Sequence, residues 1–140
     1  MYEKKNITYV LTILDSIEKI FIYTDGIETA EDFHERNDQL EFNACQALLL
    51  VIGEETKKIN DDLKDEHPVI PWKLISGMRN RIAHDYRSID PNISFDVVKN
   101  YLAPLKIELI LMLDKIEFEQ EFLKRVVETE YYRNLKYLIE

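Results

Sequence analysis

The chain of 140 residues predicts an all-α protein, on three observations. Apolar residues recur at i, i+3, i+4 and i+7 over long stretches, the pattern of one helix face. Three glycines and four prolines are few for this length, so turns are scarce and elements are long. Residues suited to helix capping stand just ahead of several apolar runs.

The first helix spans residues 4–24, with Ile7, Val10, Leu11, Leu14, Ile17 and Phe21 on its apolar face. Asp25 and Gly26 stop it. TAEDF, residues 29–33, reads as a short capped turn, with Thr29 as N-cap and Asp32 at the third helical position. A second long helix runs from about Asp38 to Asp62, Asp38 and Glu41 having the spacing of a capping box. Its centre, ALLLVIG at 47–53, is apolar on nearly every side and must bury more than one face. A second copy of the chain is one candidate for covering that extra face. Gly53 costs about 1 kcal/mol against Ala inside a helix, and it permits a close backbone approach. Glu54 and Glu55 after it read as a solvated face.

His67 and Pro68 fall in a loop, and Pro71 suits the first position of a helix carrying Trp72, Ile75, Met78 and Ile82 and ending near His84. SIDPN, residues 88–92, is a turn. Ser94 is then placed to cap a last long helix through Val97, Tyr101, Leu102, Leu105, Leu109, Met112 and Ile116, which Pro104 should kink or divide. Residues 117–140 continue helical, with Phe118, Phe122, Val126, Leu135 and Leu138. Their tyrosines 131, 132 and 137 can pack on the body or meet a partner. The expected organisation is one domain over 1–140.

Composition narrows the function. The single Cys45 lies in an apolar run and reads as a buried free thiol. With no cysteine pair, a reducing, cytoplasmic setting is expected. No secretion signal or membrane span is evident. A net charge of −9 argues against a protein that coats nucleic acid. The charge is uneven, however. Residues 1–65 hold 7 basic and 15 acidic side chains, residues 66–106 hold 6 and 4, and residues 107–140 hold 5 and 8. The one net-positive segment contains RNRIAHDY, residues 79–86, and a local positive patch on an acidic body suits a short, specific contact with an anion.

Arg79 and His84 are five residues apart, about 140° round a continuous helix. They cooperate only if the chain turns back at His84, or if Arg79 of one protomer meets His84 of another. Asn80 and Arg81, four and three residues away, are the neighbours of His84 on its own face. Arginine carries a permanent charge on a planar fork that matches phosphate, and histidine moves protons near neutrality. The pair is a sufficient minimum for cleaving RNA without a metal. Tyr86 adds a hydroxyl that can bind substrate or be chemically blocked. An Arg and a His at a helix C-terminus also simply favour the helix dipole. Competing chemistries lack motifs. The three histidines at 34, 67 and 84 have no metal-ligand spacing, and no phosphate-binding glycine loop or GxSxG occurs.

Arg79, Asn80, His84 and Tyr86 match R-N-x-x-x-H-x-Y, which resembles the signature of the HEPN superfamily and, within it, the HepT-like (DUF86) toxins. EDF at 31–33, VIGEETKKI at 51–59, PW at 71–72 and ID at 89–90 are similar to the same group. The likeness covers about residues 5–116, leaving 117–140 as an extension. It implies an antiparallel bundle of about four to five helices, homodimeric, with a ribonuclease site of Arg79 and His84 in the dimer cleft. Asn80 and Arg81 would support the site or contact phosphate. It further implies a type II toxin–antitoxin pair, in which a minimal nucleotidyltransferase antitoxin transfers AMP to Tyr86 and so repels RNA. No cofactor or metal is implied. The alternative from the same family is a non-catalytic accessory subunit of a nucleotidyltransferase. A purely structural helical protein is the third reading.

Overall fold

The computed structural model describes residues 1–140 and is all-α. Seven α-helices follow in order: α1 (Lys5–Tyr23), α2 (Ala30–Lys58), α3 (Asp61–Asp65), α4 (Trp72–His84), α5 (Pro91–Asp96), α6 (Leu102–Leu113) and α7 (Gln120–Val127). No helix is long and apolar enough to cross a membrane.

α1 forms as its periodicity dictates. Ile7, Val10, Leu11, Leu14 and Ile17 are buried, together with Ile13 and Ile20. It ends where Thr24 Oγ1 donates to the Ile20 carbonyl at 2.8 Å and Gly26 takes a φ of +80°. Thr29 does cap the next helix, its Oγ1 accepting from the Asp32 N–H at 3.0 Å. As expected, a short capped segment precedes a separate long helix: within residues 30–58 two helical segments meet at a kink over 36–39, where Arg36 is extended and Asn37, Asp38 and Gln39 have φ of 51°, 56° and 69°. A positive φ denies Asp38 the extended conformation of an N-cap. The expected Asp38–Glu41 box is therefore absent, and the Asn37 side chain reaches Glu41 instead. Asparagine and aspartate tolerate the left-handed region better than other side chains, which suits Asn37 and Asp38 to this bend.

The long helix stops at Lys58, four residues short of Asp62. Asn60 is the cause. Its side chain accepts from the Asp62 N–H at 2.9 Å and starts α3. α2 is the central helix of the bundle, packed on α1, α4 and α5. These three bury most of the apolar 47–53 stretch: Leu49, Ile52 and Gly53 are buried, and Leu48, Leu50 and Val51 half-buried. The second face, for which another copy was one candidate cover, is largely covered within the chain.

α4 begins at Trp72, with Pro71 just outside it as the capping residue. The Trp72 indole N–H donates to the carbonyls of Lys64 and His67, both at 3.0 Å, which anchors the helix start. α5 is capped by Asp90, whose carboxylate accepts from the Asn92 N–H at 2.9 Å, with Pro91 at the first helical position. Ser94 therefore sits inside a helix rather than capping one. It is buried, and its hydroxyl pairs with Gln46. Pro104 divides the last long helix as expected. It has no N–H to donate four residues back, and the preceding turn, Val97–Tyr101, widens to a π-helix before α6 resumes.

Cys45 is a buried free thiol, pushed up to about 12 by burial. The N-terminus clasps the end of α6, Tyr2 donating its N–H to Lys115 O at 2.8 Å and accepting from Glu117 at 2.9 Å. The tail departs from continuous helix. α7 is followed by a 3₁₀ segment, Arg133–Ile139, and Leu123, Val127 and Leu135 belong to the same core as α1. Tyr132 reaches Thr12 at 2.9 Å, so that tyrosine packs on the body.

Candidate active site

The site residues lie on the last turns of α4 and the turn after it. Ile75, Met78 and Ile82 form the buried face of α4. Where α4 crosses α2, Gly53 removes the one side chain that would hold the helices apart. A Cβ at Gly53 would lie 3.1 Å from both Cβ and N of Arg79. This close crossing sets Arg79 beside Glu54. The Arg79 Nε donates to Glu54 Oε1 at 2.5 Å, and its Nη1 reaches Asn80 Oδ1 at 3.3 Å. Glu54 is thus not merely a solvated face, because it holds the guanidinium by one edge. Glu55 pairs outward with Lys58 at 3.1 Å.

Arg79 and Asn80 line a polar cleft of about 300 Å³ with Glu54, Lys57, Lys73 and Ser76. No hydrophobic side chain faces it. Three cations against one carboxylate make it net positive on an acidic chain, so it favours an anion. The Nε bond to Glu54 leaves the outer edge of the guanidinium for a bidentate contact.

His84 is the last residue of α4 and is exposed. The negative end of the helix dipole favours the charge of Arg81. Asp85 is extended, with φ −151° and ψ 92°, and turns the chain into a single 3₁₀ turn, Tyr86–Ser88. That turn folds Tyr86 back onto α2. Its hydroxyl donates to Asn43 Oδ1 at 2.6 Å, and its ring meets the edge of Phe42 at 6.4 Å between centroids. Burial pushes the Tyr86 phenol up from its usual value, so the hydroxyl keeps its proton near neutrality.

Within one chain, then, Arg79, Asn80 and Glu54 come together, and Tyr86 meets Asn43. His84 does not line the Arg79 cleft. α4 is continuous through both residues, which leaves the angular separation in place. Arg81 faces a different, largely apolar cavity between α4 and α5. Glu54, Lys57, Lys73 and Asn43 were not among the expected site residues. Gly53 inside a helix was the only local sign of the first of them, and nothing near Asn43 marked it.

No solved structure matches the chain significantly. Curated proteins do. A Thermococcus cleftensis protein named "Probable ribonuclease HepT" is 35% identical over 98 residues, covering 70% of this chain and 86% of its own length. Two Methanocaldococcus jannaschii proteins, each named "Putative RNase", are 32% identical over 101 residues and 28% over 113. These matches cover 65% and 81% of this chain, and 92% and 91% of the relatives. The profile described as ribonuclease HepT-like matches residues 13–112, which include α4 and every residue of the cleft. With an all-helical fold built round that segment, the chain belongs to the ribonuclease HepT-like family.

Proposed function

We propose that the protein is the toxin of a type II toxin–antitoxin pair, a metal-independent endoribonuclease whose active site is completed by homodimerisation. The cleft of one protomer supplies Arg79, and His84 comes from the other. The two-fold arrangement brings two copies of each residue. One His84 takes the proton of a ribose 2′-hydroxyl. The 2′-oxygen attacks the adjacent phosphorus, forming a 2′,3′-cyclic phosphate. The bond to the 5′-oxygen breaks, and the second His84, protonated, gives that oxygen its proton. Arg79 stabilises the added charge on phosphorus through its free guanidinium edge. Asn80 orients Arg79, and Arg81 contacts a neighbouring phosphate.

The observation that carries this reading is the pairing of Arg79 with Glu54 in an all-polar, net-positive cleft. The carboxylate holds the guanidinium by Nε at the wall of the cleft. The names of the relatives support RNA as substrate. Tyr86 is the proposed acceptor of AMP from a nucleotidyltransferase antitoxin. Its exposed, protonated hydroxyl needs the transferase to supply the base, and each phosphate added would set negative charge beside the RNA path.

One observation favours the second reading, a non-catalytic accessory subunit of the nucleotidyltransferase. Glu54 already neutralises Arg79 in the free chain. The test is RNA cleavage by the purified protein with and without a chelator, beside intact mass after co-expression with a nucleotidyltransferase. Chelator-resistant cleavage lost in His84→Ala, and a mass rise of one or more AMP lost in Tyr86→Phe, support the toxin. Intact RNA at high protein concentration and an unchanged mass favour the accessory subunit.

A further inference from the structure

On the other side of α4 from the Arg79 cleft lies an opening with different chemistry. It is a cavity of about 150 Å³ between α2, α4 and α5. Leu49, Met78, Ile82, Ile89, Ile93 and Val97 are its walls. Arg81, Ser88 and Asp90, all exposed, stand at its mouth. Its one fully buried polar side chain is Gln46. The Gln46 amide donates to Ser94 Oγ at 2.8 Å, and the Ser94 hydroxyl donates to Gln46 Oε1 at 3.1 Å. A carboxamide has two N–H donors and two acceptor lone pairs. Ser94 takes the donor and the acceptor that face the same way, so the remaining N–H and lone pair point apart within an apolar pocket.

We infer that this cavity receives a single nucleobase of the RNA strand, and that Gln46 reads its edge while Arg81 takes the phosphate of the same nucleotide. The inference rests on the ribonuclease reading above. Size selects the ligand. Pockets for whole small molecules run from roughly 300 Å³ upwards, so this one holds one flat ring and leaves sugar and phosphate outside. Chemistry selects it again. Aliphatic walls suit the two faces of a base, and one remaining polar atom of the carboxamide meets a single complementary atom on the base edge. Position is the third argument. Arg81 at the mouth is three residues from His84 and on its side of α4. It enters no salt bridge within the chain, unlike Arg79 and Arg87 beside it in sequence. A base in the cavity therefore sets its phosphodiester on Arg81, within one helical turn of the proton-transfer group. The cavity would decide next to which nucleotide the chain is cut.

Ile93 gives a clean test, because it is 51% exposed at the rim and a larger side chain there need not disturb the core. The wild type and Ile93→Trp are titrated with the four nucleoside 5′-monophosphates and with ribose 5-phosphate, following the methyl NMR signals of Met78, Ile82 and Ile89. Both are then used to map cut sites on one RNA of mixed sequence. The expected result is saturable methyl shifts with at least one nucleotide, none with ribose 5-phosphate, and their loss in Ile93→Trp. The variant should also lose at least about tenfold of the base preference at its cut sites, the discrimination a single edge contact supplies. Equal shifts with ribose 5-phosphate, or no shifts at millimolar nucleotide, would overturn the base pocket. So would an unchanged cut-site preference in Ile93→Trp. Specific methyl shifts with no RNA cleavage by the wild type would keep the base pocket and sink the ribonuclease reading beneath it.

Discussion

Gly53 and Arg79 touch backbone to backbone: a methyl group on Gly53 would stand 3.1 Å from the Arg79 amide nitrogen and 3.2 Å from the Ile75 carbonyl oxygen. Both contacts are to main chain in a helix, which cannot swing aside as a side chain can. Gly53→Ala should therefore push α2 and α4 apart. Overpacking of this kind costs about 1–3 kcal/mol, against about 1 kcal/mol gained from alanine in a helix. The expected outcome is a net loss of about 1 kcal/mol in denaturant melts, with a larger proportional loss of RNA cleavage because Arg79 rides on the displaced helix. A more stable and fully active Gly53→Ala would show that the crossing has slack.

Glu54 and Arg79 separate charge from orientation. Glu54→Gln keeps an oxygen facing Nε but removes the competing charge, so RNA should bind more tightly with little change in turnover. Glu54→Ala removes the hold on the guanidinium, and turnover should fall about tenfold while binding strengthens. Steady-state kinetics on a short RNA separates the two. Equal behaviour of both variants would show that Glu54 acts through charge alone.

His84 is exposed at a helix end, and Arg79 is half exposed. Replacing either with Ala should leave the melting temperature within a few degrees of the parent. RNA cleavage should fall by at least about a hundredfold in each. If the site is shared across a dimer and uses both His84 side chains, an equal mixture of parent and His84→Ala should show about half the activity per parent chain, since every mixed dimer lacks one of the two. Activity per parent chain left unchanged in mixtures that do form mixed dimers would argue for a site within one chain.

Tyr86 should titrate above a free tyrosine, because burial raises it. An ultraviolet pH titration comparing the parent with Tyr86→Phe isolates its contribution. The same substitution should leave folding nearly unchanged, since it removes only the hydroxyl bond to Asn43, which is itself exposed. It should also abolish the AMP mass increment. AMP found on another residue would reassign the modification.

Asp15 supplies a pH dependence distant from the cleft. Its side chain is 1% exposed, and burial raises it above the usual carboxylate range although Lys19 lies 2.8 Å away and opposes the shift. The folded state then holds the proton more tightly than the unfolded state. This favours folding fully below about pH 4, the unfolded value, and the benefit is lost as pH rises through the folded value. Asp15→Asn should raise the melting temperature by a few degrees near neutrality, the gain shrinking towards about pH 4. Lys19, partly exposed, can turn its charge to water. A gain that grows on acidification would reverse the assignment.

Local signals account for much of what was legible. The α1 face, the Thr29 cap and the break ahead of Pro104 follow from periodicity, a hydroxyl and a missing N–H, each acting within a turn or so of chain. The failures are of the opposite kind. Asp38 had the spacing of a capping box, but the chain bends through the left-handed region there and the cap is lost. Ser94 looked like a cap and became half of a buried pair with Gln46, 48 residues away. The apolar belt of α2 announced two buried faces without saying that α1, α4 and α5 would cover most of them.

The sequence by itself determined the helical class, the family through residues 13–112, and the one net-positive segment, residues 66–106. Those follow from composition, periodicity and short-range spacing, which need no knowledge of what packs on what. Only the tertiary structure decided that Gly53 admits Arg79 to Glu54, that Tyr86 folds onto Asn43, and that Arg79 and Arg81 open onto different cavities. Those relations join residues 25 and 43 positions apart, or set neighbours on opposite sides of one helix. They arise from how closely helices can approach, a property of side-chain volume summed across the whole core.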